Sequence, residues 1–383
     1  RRLMKKQIVI AAGLAVLSTS AFATKARLEA LGQDNGGSHY IQDTRSIFRN
    51  AAHVNNFKNY VVTEWGTAAA TAETLTAPHA EGGFFREMGS FAYGLYMGNE
   101  ANAQNTMRAG GAGFGGTGAY GAAALVAHDN ALDLFFGGDM GVQWGANVHY
   151  ASNSNEPGGA ALKREQSALG LGLGMIMGDL TASVNLGLSD ESKEDGATAG
   201  TKFDNTGMEV NFGYGLGDLQ LFAEYDKDTV KFTNGTGVAE IKTERTELVV
   251  GLAKTHEVSS TARITAAVAY SSVNGKDTPA TGTATEVKNT NLPVTLTFET
   301  EANSWLTLRG SASQSVLINS TETVTATTTK LTNADTTAVN AGATLSFGKL
   351  KVDGSIGAGT GAAKAGVLTL NTAMARVGVH YWF

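Results

Sequence analysis

The chain has 383 residues, with 29 basic and 35 acidic side chains and a formal net charge of −6. It has no cysteine, which excludes disulfide frameworks, thiolate metal sites, cysteine nucleophiles and a lipid-modified cysteine. Glycine is abundant at 48 residues and proline scarce at 4, with no collagen period and no proline-rich linker.

Residues 1–23 read as a secretory signal peptide. Lys5 and Lys6 follow Met4, Ile8 to Leu17 are apolar throughout, and Ala21-Phe22-Ala23 is an A-x-A cleavage signal. The apolar block is shorter than the ~20 residues that span a bilayer. Cleavage at Ala21 and Ala23 is expected to start the mature chain at Thr24, and Arg1 to Leu3 stand upstream of a start at Met4. Taking the leader's four basic residues (Arg1, Arg2, Lys5, Lys6) from 29 leaves 25 against 35 acids, a net charge of −10. A secreted acidic chain argues against a nucleic-acid partner, because phosphate binding needs a basic face.

Residues 24–58 do not alternate, and they mix signs of charge: Lys25, Arg27, Glu29, Asp43, Arg45 and Arg49. If the rest of the chain closes into a barrel, this segment is expected to lie in its periplasmic mouth as a partial plug, or to trail as a periplasmic tail. Tyr60 to Gly66 and Gly83 to Glu87 are candidates for a first hairpin, and Phe91 to Met97 for an up-going strand. Gly110 to Gly118 is glycine-rich but lacks the Lys-Ser/Thr and the flanking strand and helix of a phosphate-cradling loop. It is expected to be an extracellular loop.

After residue 130 the chain alternates with period 2, which means strands with two different environments. Leu169, Leu171, Leu173, Met175 and Met177 share one face, with Gly170, Gly172, Gly174 and Ile176 on the other. Val210, Phe212, Tyr214 and Leu216 alternate with Glu209, Asn211, Gly213 and Gly215. The same pattern recurs over 142–150, 180–188, 263–270, 292–299 and 339–347. Many segments of ~10 residues with one apolar face mark a transmembrane barrel. A soluble β-sandwich also alternates, but its solvated face usually carries more charge than the Gly, Ser, Thr and Asn seen here. Connections also alternate in length. Met177-Gly178-Asp179, Gly215-Leu216-Gly217-Asp218, Glu301-Ala302-Asn303-Ser304 and Gly348-Lys349 are tight, whereas Asp190 to Thr201, Asp228 to Glu240, Val273 to Glu286, Leu317 to Asp335 and Ala358 to Leu368 are long and polar.

The last strand places Val377, Val379, Tyr381 and Phe383 on one face and Arg376, Gly378, His380 and Trp382 on the other. A terminal aromatic preceded by alternating apolar residues resembles the signal read by the outer-membrane assembly machinery. Counting back from it gives strands centred near residues 377, 353, 342, 310, 293, 266, 248, 222, 210, 184, 171, 146 and 134, plus Phe91 to Met97. The expected fold is therefore all-β: a transmembrane antiparallel up-and-down barrel of about 14 strands, or 16 with the first hairpin, over residues 59–383.

Charges on the polar face are Asp133, Glu209, Glu224, Arg263, Glu299, Arg309, Lys351, Asp353 and Arg376, all expected to line the pore. Facing lipid, an Arg or Lys near the midplane would cost about 2–4 kcal/mol. Arg263, Arg309 and Arg376 are expected to oppose Asp133, Glu209 and Glu224 across the lumen as a transverse field. None of the seven histidines has the spacing of a metal pair or a Ser-His-Asp triad, so neither a metal, a cofactor nor an enzymatic activity is expected. His149 and His380 are expected to be wall residues.

Ala30-Leu31-Gly32, Asp43 and Asn50-Ala51-Ala52 resemble the start of fatty-acid-transporter and related porin-like outer-membrane barrels, with Ala51 where proline usually stands. Phe48 to Ala52, Val61 to Gly66 and Gly82 to Glu87 resemble the major outer-membrane proteins of Bdellovibrio-type predatory bacteria. That likeness implies an abundant pore-forming or envelope-structural barrel in a Gram-negative outer membrane. The expected function is passive diffusion of small hydrophilic solutes and ions, with a closed structural barrel or a carrier of a hydrophobic ligand as alternatives. The expected partners are outer-membrane lipids, the assembly machinery and the solutes; a homo-oligomer stays open.

Overall fold

The structure, a computed structural model, describes residues 24–34, 36–66, 79–99, 131–156, 163–195, 201–233, 240–325, 328–332, 337–359 and 369–383. The leader with its cleavage residues Ala21 and Ala23, and the glycine-rich stretch 110–118, lie outside the described residues.

Seventeen strands form one antiparallel sheet. They are β1 (Tyr60–Gly66), β2 (His79–Met88), β3 (Phe91–Met97), β4 (Ala131–Asp139), β5 (Gln143–Asn155) and β6 (Lys163–Met177). β7 (Leu180–Asp195), β8 (Thr201–Leu216), β9 (Leu219–Thr233), β10 (Glu240–Ser259), β11 (Ala262–Thr278) and β12 (Thr285–Asn303) follow. β13 (Leu306–Val324), β14 (Thr328–Thr332), β15 (Thr337–Phe347), β16 (Leu350–Gly359) and β17 (Thr369–Trp382) complete it. β1 pairs with β2 and also with β17, through Tyr60↔Trp382, Val62↔His380 and Glu64↔Gly378, so the sheet closes on itself. β14 pairs only with the far end of β13, whose near end pairs with β15, so β14 is a flap and the barrel wall has sixteen staves.

The count of sixteen, rather than 14, comes from β1 and β2. These two are short, and β2 reads Gly82-Gly83-Phe84-Phe85, so its period is blurred and only the pairing with β17 identifies the hairpin as wall. The long polar connections also differ from expectation. β7 continues to Asp195, β9 to Thr233, β11 to Thr278 and β13 to Val324. On β7 both faces are polar here, so alternation fades while the hydrogen-bonded ladder persists.

The tight turns all lie at the end of the barrel where β1 begins and β17 finishes. Gly178 and Gly217 take φ of +59° and +67°, the left-handed conformation these two-residue turns require and glycine adopts without strain. Within the described residues β1 to β4 have 7, 10, 7 and 9 residues, and β10 to β13 have 20, 17, 19 and 19.

Polarity is inverted relative to a soluble domain. On β12, Leu296 and Phe298 are 52% and 41% exposed, while Thr297 and Glu299 between and beside them are 4% and 7% exposed. Leu248, Val250 and Leu252 on β10 and Val210, Phe212 and Tyr214 on β8 extend the outer apolar band. A soluble fold buries such residues; here they face outward around a polar interior.

Candidate functional site

The interior holds residues 24–58. They form helix α1 (Lys25–Ala30), helix α2 (Ser46–Arg49) and a 3-10 turn (Ala51–Asn55), and they touch staves almost all the way round. The segment lies inside the ring of strands, at the tight-turn end. It meets the wall in three different ways.

Against β1 to β5 the contact is apolar. Ile47, Ala51, Val54 and Phe57 join Tyr60, Val62, Phe85, Ala92, Tyr96 and Phe135 in a buried cluster. Phe48 stands edge-on to Tyr96 and Phe135, with centroids 5.0 and 5.4 Å apart. The turn is held by Asn50, whose side-chain oxygen accepts from Ala52 N–H at 3.0 Å while its Nδ2 donates to the Met175 and Ala182 carbonyls at 3.3 and 3.2 Å. Inner-face glycines make the fit. A Cβ on Gly145 would lie 2.2 Å from the Ala51 oxygen, and one on Gly378 would lie 2.1 Å from Thr24 Cγ2. The glycine richness of the inner faces is therefore a packing requirement of the plug as well as a source of open lumen.

Towards β12 to β17, and at the ends of β1 to β3 away from the tight turns, the contact is ionic. Arg27, fully buried, donates to Glu299 through Nε and Nη2 at 3.0 and 3.2 Å and to Asp43 through Nη1 at 3.0 Å. Arg45 donates to Glu81 at 2.7 Å, to the Tyr96 hydroxyl at 2.8 Å and to Asn99 at 3.0 Å. Glu64 lies directly across the ladder from Glu81, so two wall carboxylates share this corner. Lys25 completes it, with Nζ 2.7 Å from Glu81 and its backbone N–H donating to Glu64 at 2.6 Å. Thr24 donates to Asp353 at 3.2 Å, and Glu29 accepts from Ser355 at 2.7 Å and pairs with Arg376 at 3.2 Å. Buried charges are tolerated only when paired, and each of these groups has a partner of opposite charge within 3.5 Å.

Towards β7, β8 and β9 the fit is loose. A cavity of ≈ 120 Å³ remains between the plug residues Ser38 to Gln42, Ser46, Arg49, Asn50 and His53 and the wall residues Thr181, Ser183, Asn211, Gly213 and Gln220. Arg49 crosses it to Glu224 and to Asn211, the latter at 2.9 Å, and His39 Nε2 lies 2.8 Å from Glu224. His39 stacks on Phe222 with centroids 4.8 Å apart.

The plug's titratable groups respond to this burial. Desolvation pushes Asp43 up to about 7, with Arg27 opposing the shift. Desolvation, reinforced by Arg49, lowers His39 to about 4, and desolvation alone lowers His53 to about 4. Burial disfavours the charge of Arg27, yet Glu299 and Asp43 more than offset it and raise its pKa.

The nine charges read as pore-lining all sit on the inner face, but their partners differ from expectation. Arg263 and Arg309 converge on Glu299 of the neighbouring stave, and Arg309 also reaches Asp353 at 3.5 Å. Asp133 pairs with His149 at 3.1 Å, Glu209 accepts from Asn211 and Asn185, and Arg376 goes to Glu29. No transverse ladder of Arg263, Arg309 and Arg376 against Asp133, Glu209 and Glu224 is formed, because short-range partners on adjacent staves and on the plug neutralise these groups first. Asp133, Arg309, Asp353 and Arg376 are buried beneath the plug or beside it and do not face open water. Lys351 points inward two residues before Asp353, and His380 lies 3.1 Å from that carboxylate. Glu64, Glu81, Tyr96 and Asn99 were not anticipated from the sequence, because the inward rows that hold them, such as Tyr60-Val62-Glu64 and Glu81-Gly83-Phe85, are otherwise apolar or glycine.

On the outer face of β17, Tyr381 and Phe383 are 46% and 48% exposed, with Val377 and Val379 half-buried in the same row. The Phe383 N–H donates to the Asn59 carbonyl at 3.0 Å, so the terminal residue belongs to the closure. Among the described residues no three His, Asp or Glu side chains group as metal ligands.

No family model and no curated protein matches the chain. Solved structures similar to it include the toluene transporter TbuX of Ralstonia pickettii, at 10% identity over 95% of this chain and 99% of that one, TM-score 0.37. The toluene transporter TodX of Pseudomonas putida is similar at 12% identity over 93% and 97%, TM-score 0.36. OmpTdeltaL8, an outer membrane protein of Vibrio cholerae, is similar at 12% identity over 85% and 97%, TM-score 0.36. At these scores the likeness transfers neither residue roles nor ligands.

Proposed function

We propose that this chain is an outer-membrane barrel of a Gram-negative bacterium that lets small hydrophilic solutes and ions diffuse past a resident N-terminal plug. The observation that carries the reading is the inverted polarity of the closed wall, with Leu296 and Phe298 outside and Thr297 and Glu299 inside. An apolar outer band on a closed sheet is stable where hydrocarbon surrounds it, because every backbone group is already paired and no edge remains. The likeness to Bdellovibrio-type major outer-membrane proteins accords with such a barrel. In this orientation the tight turns and the plug face the periplasm, and the terminal strand with Val377, Val379, Tyr381 and Phe383 is the segment offered to the assembly machinery. No covalent chemistry belongs to the reading.

A polar solute is favoured over a hydrophobic one by the loose side of the plug. Its cavity is lined by Ser38, His39, Arg49, Asn50, Thr181, Ser183, Asn211 and Gln220, groups that replace water around a polar solute. The tight ionic seat of Arg27 and Arg45 favours a second reading, an envelope-structural barrel whose pore stays shut. Planar-bilayer recording of the detergent-purified protein separates them. Discrete conductance steps support the channel, a folded but silent barrel supports the structural reading, and a water-soluble monomer without heat-dependent gel mobility ends both.

A further inference from the structure

The plug does not fill the lumen evenly, and the reason lies in the wall. On β7 and β8 the inward positions beside the cavity are small: Thr181, Ser183 and Gly213. The cavity lies close to the tight turns, since Thr181 follows the Gly178-Asp179 turn and Gly213 precedes the Gly217-Asp218 turn. Going away from the turns on β8 the next inward residues are Asn211 and Glu209, and on β9 Glu224, Asp226 and Asp228. Arg49 stands at the level of Asn211 and Glu224, where it bonds both. Its Nε is buried without a hydrogen-bond partner. Below Arg49 lies the cavity; above it lies an inner face with Glu209, Asp226, Asp228 and Glu247, the last two paired to Arg245.

We propose that solutes pass the plug through this cavity, that Arg49 forms its constriction, and that the path prefers cations to anions. The proposal rests on the channel reading above. Among the described residues Arg49 is the only Arg or Lys of the plug that borders the cavity, as Lys25, Arg27, Arg45 and Lys58 are engaged elsewhere. It is tied to Glu224, which leaves Glu209, held by Asn211 and Asn185, on the inner face above with no cation as an ion-pair partner among the described residues. Carboxylates in a narrow, poorly screened passage raise the local concentration of cations and repel anions. The same field makes Arg49 the barrier: a passing cation meets one fixed positive charge at the narrowest level.

The test is planar-bilayer recording in a KCl gradient, with wild type, Arg49→Gln, Glu209→Gln and Thr181→Trp. The proposal expects a wild-type reversal potential on the potassium side. Arg49→Gln should raise conductance several-fold and move the reversal potential further towards potassium. Glu209→Gln should move it back. Thr181→Trp fills the cavity without touching the Arg49–Glu224 pair and should cut conductance by more than half. If wild type conducts and Arg49→Gln and Thr181→Trp change neither readout, the path runs elsewhere and this proposal is overturned while the channel reading stands. A silent wild type that Arg49→Gln opens supports the constriction. If all four are folded and silent, the channel reading and the path fall together.

Discussion

Arg27 of the plug and Glu299 of β12, 272 positions apart in the chain, meet through two parallel contacts, Nε to Oε2 at 3.0 Å and Nη2 to Oε1 at 3.2 Å. The third arm of the same guanidinium holds Asp43, which folds the plug back on itself. Glu299 keeps Arg263 and Arg309 when Arg27 is removed, but Asp43 is left in a buried site without its cation. Removing one partner of a buried pair typically costs about 3–5 kcal/mol. Arg27→Met is therefore expected to loosen the plug, and adding Asp43→Leu is expected to restore part of the loss, a non-additivity typical of groups in one network. The rate at which a protease cleaves the segment 33–45 in folded, detergent-held protein reports it. Equal rates for wild type and Arg27→Met would show that the apolar face alone seats the plug.

That apolar face gives a second expectation. Gly145 faces the Ala51 carbonyl so closely that a Cβ would stand 2.2 Å from it, and the atoms it would meet belong to the backbone of Ala51 and Ala52, which cannot swing away. Gly145→Val should displace the 3-10 turn, with overpacking of about 1–3 kcal/mol. Ala146→Val points outward on the same strand and should leave plug protection unchanged. Protease protection of the plug in the two variants makes the comparison; equal protection would refute the packing argument.

The pH dependence of plug seating has two opposed limbs. Asp43 has its folded pKa raised to about 7 by burial, so its contribution is full below its ordinary carboxylate range and is lost as pH rises towards 7. His39 and His53 have theirs lowered to about 4, so their contribution is full above the ordinary histidine range and is lost as pH falls towards 4. Asp43→Asn is expected to flatten the first limb, and His39→Gln with His53→Gln the second. Plug proteolysis between pH 4 and pH 7.5 at constant ionic strength reads both limbs. Identical profiles for wild type and both variants would remove these groups from the account.

The outer face of the barrel was legible because outward-facing apolar positions repeat strictly: Val210, Phe212 and Tyr214, or Leu248, Val250 and Leu252, announce their side of the wall locally. β1 and β2 were ambiguous because their inward residues, Tyr60, Val62 and Phe85, are as apolar as their outward ones, since they pack on the plug rather than face water. The charges of the plug announced a luminal segment, but not their partners. Arg27 could have met any inward acid, and which one it meets depends on the register of sixteen staves and on the turn at Asn50. Residue pairs such as Arg45 and Glu81 are set by three-dimensional closure, which period 2 does not encode.

The membrane reading makes its own quantitative demand on the outer band. Leu252 is 41% exposed, pairs across to Leu221 and Val268, and lies within the apolar band. Thr229 points to the same outer side of β9 further from the tight turns, between Lys227 and Lys231. If hydrocarbon surrounds the band, Leu252→Arg should destabilise the barrel by about 2–4 kcal/mol, whereas Thr229→Arg, at the interface or beyond it, should cost about 0–1 kcal/mol. In a water-soluble barrel both are surface changes within ~0.5 kcal/mol. Urea titration of folded protein in phosphatidylcholine vesicles, followed by the heat-dependent gel shift, measures the difference. A Leu252→Arg midpoint equal to that of Thr229→Arg would place water against Leu252, and with it the whole outer face.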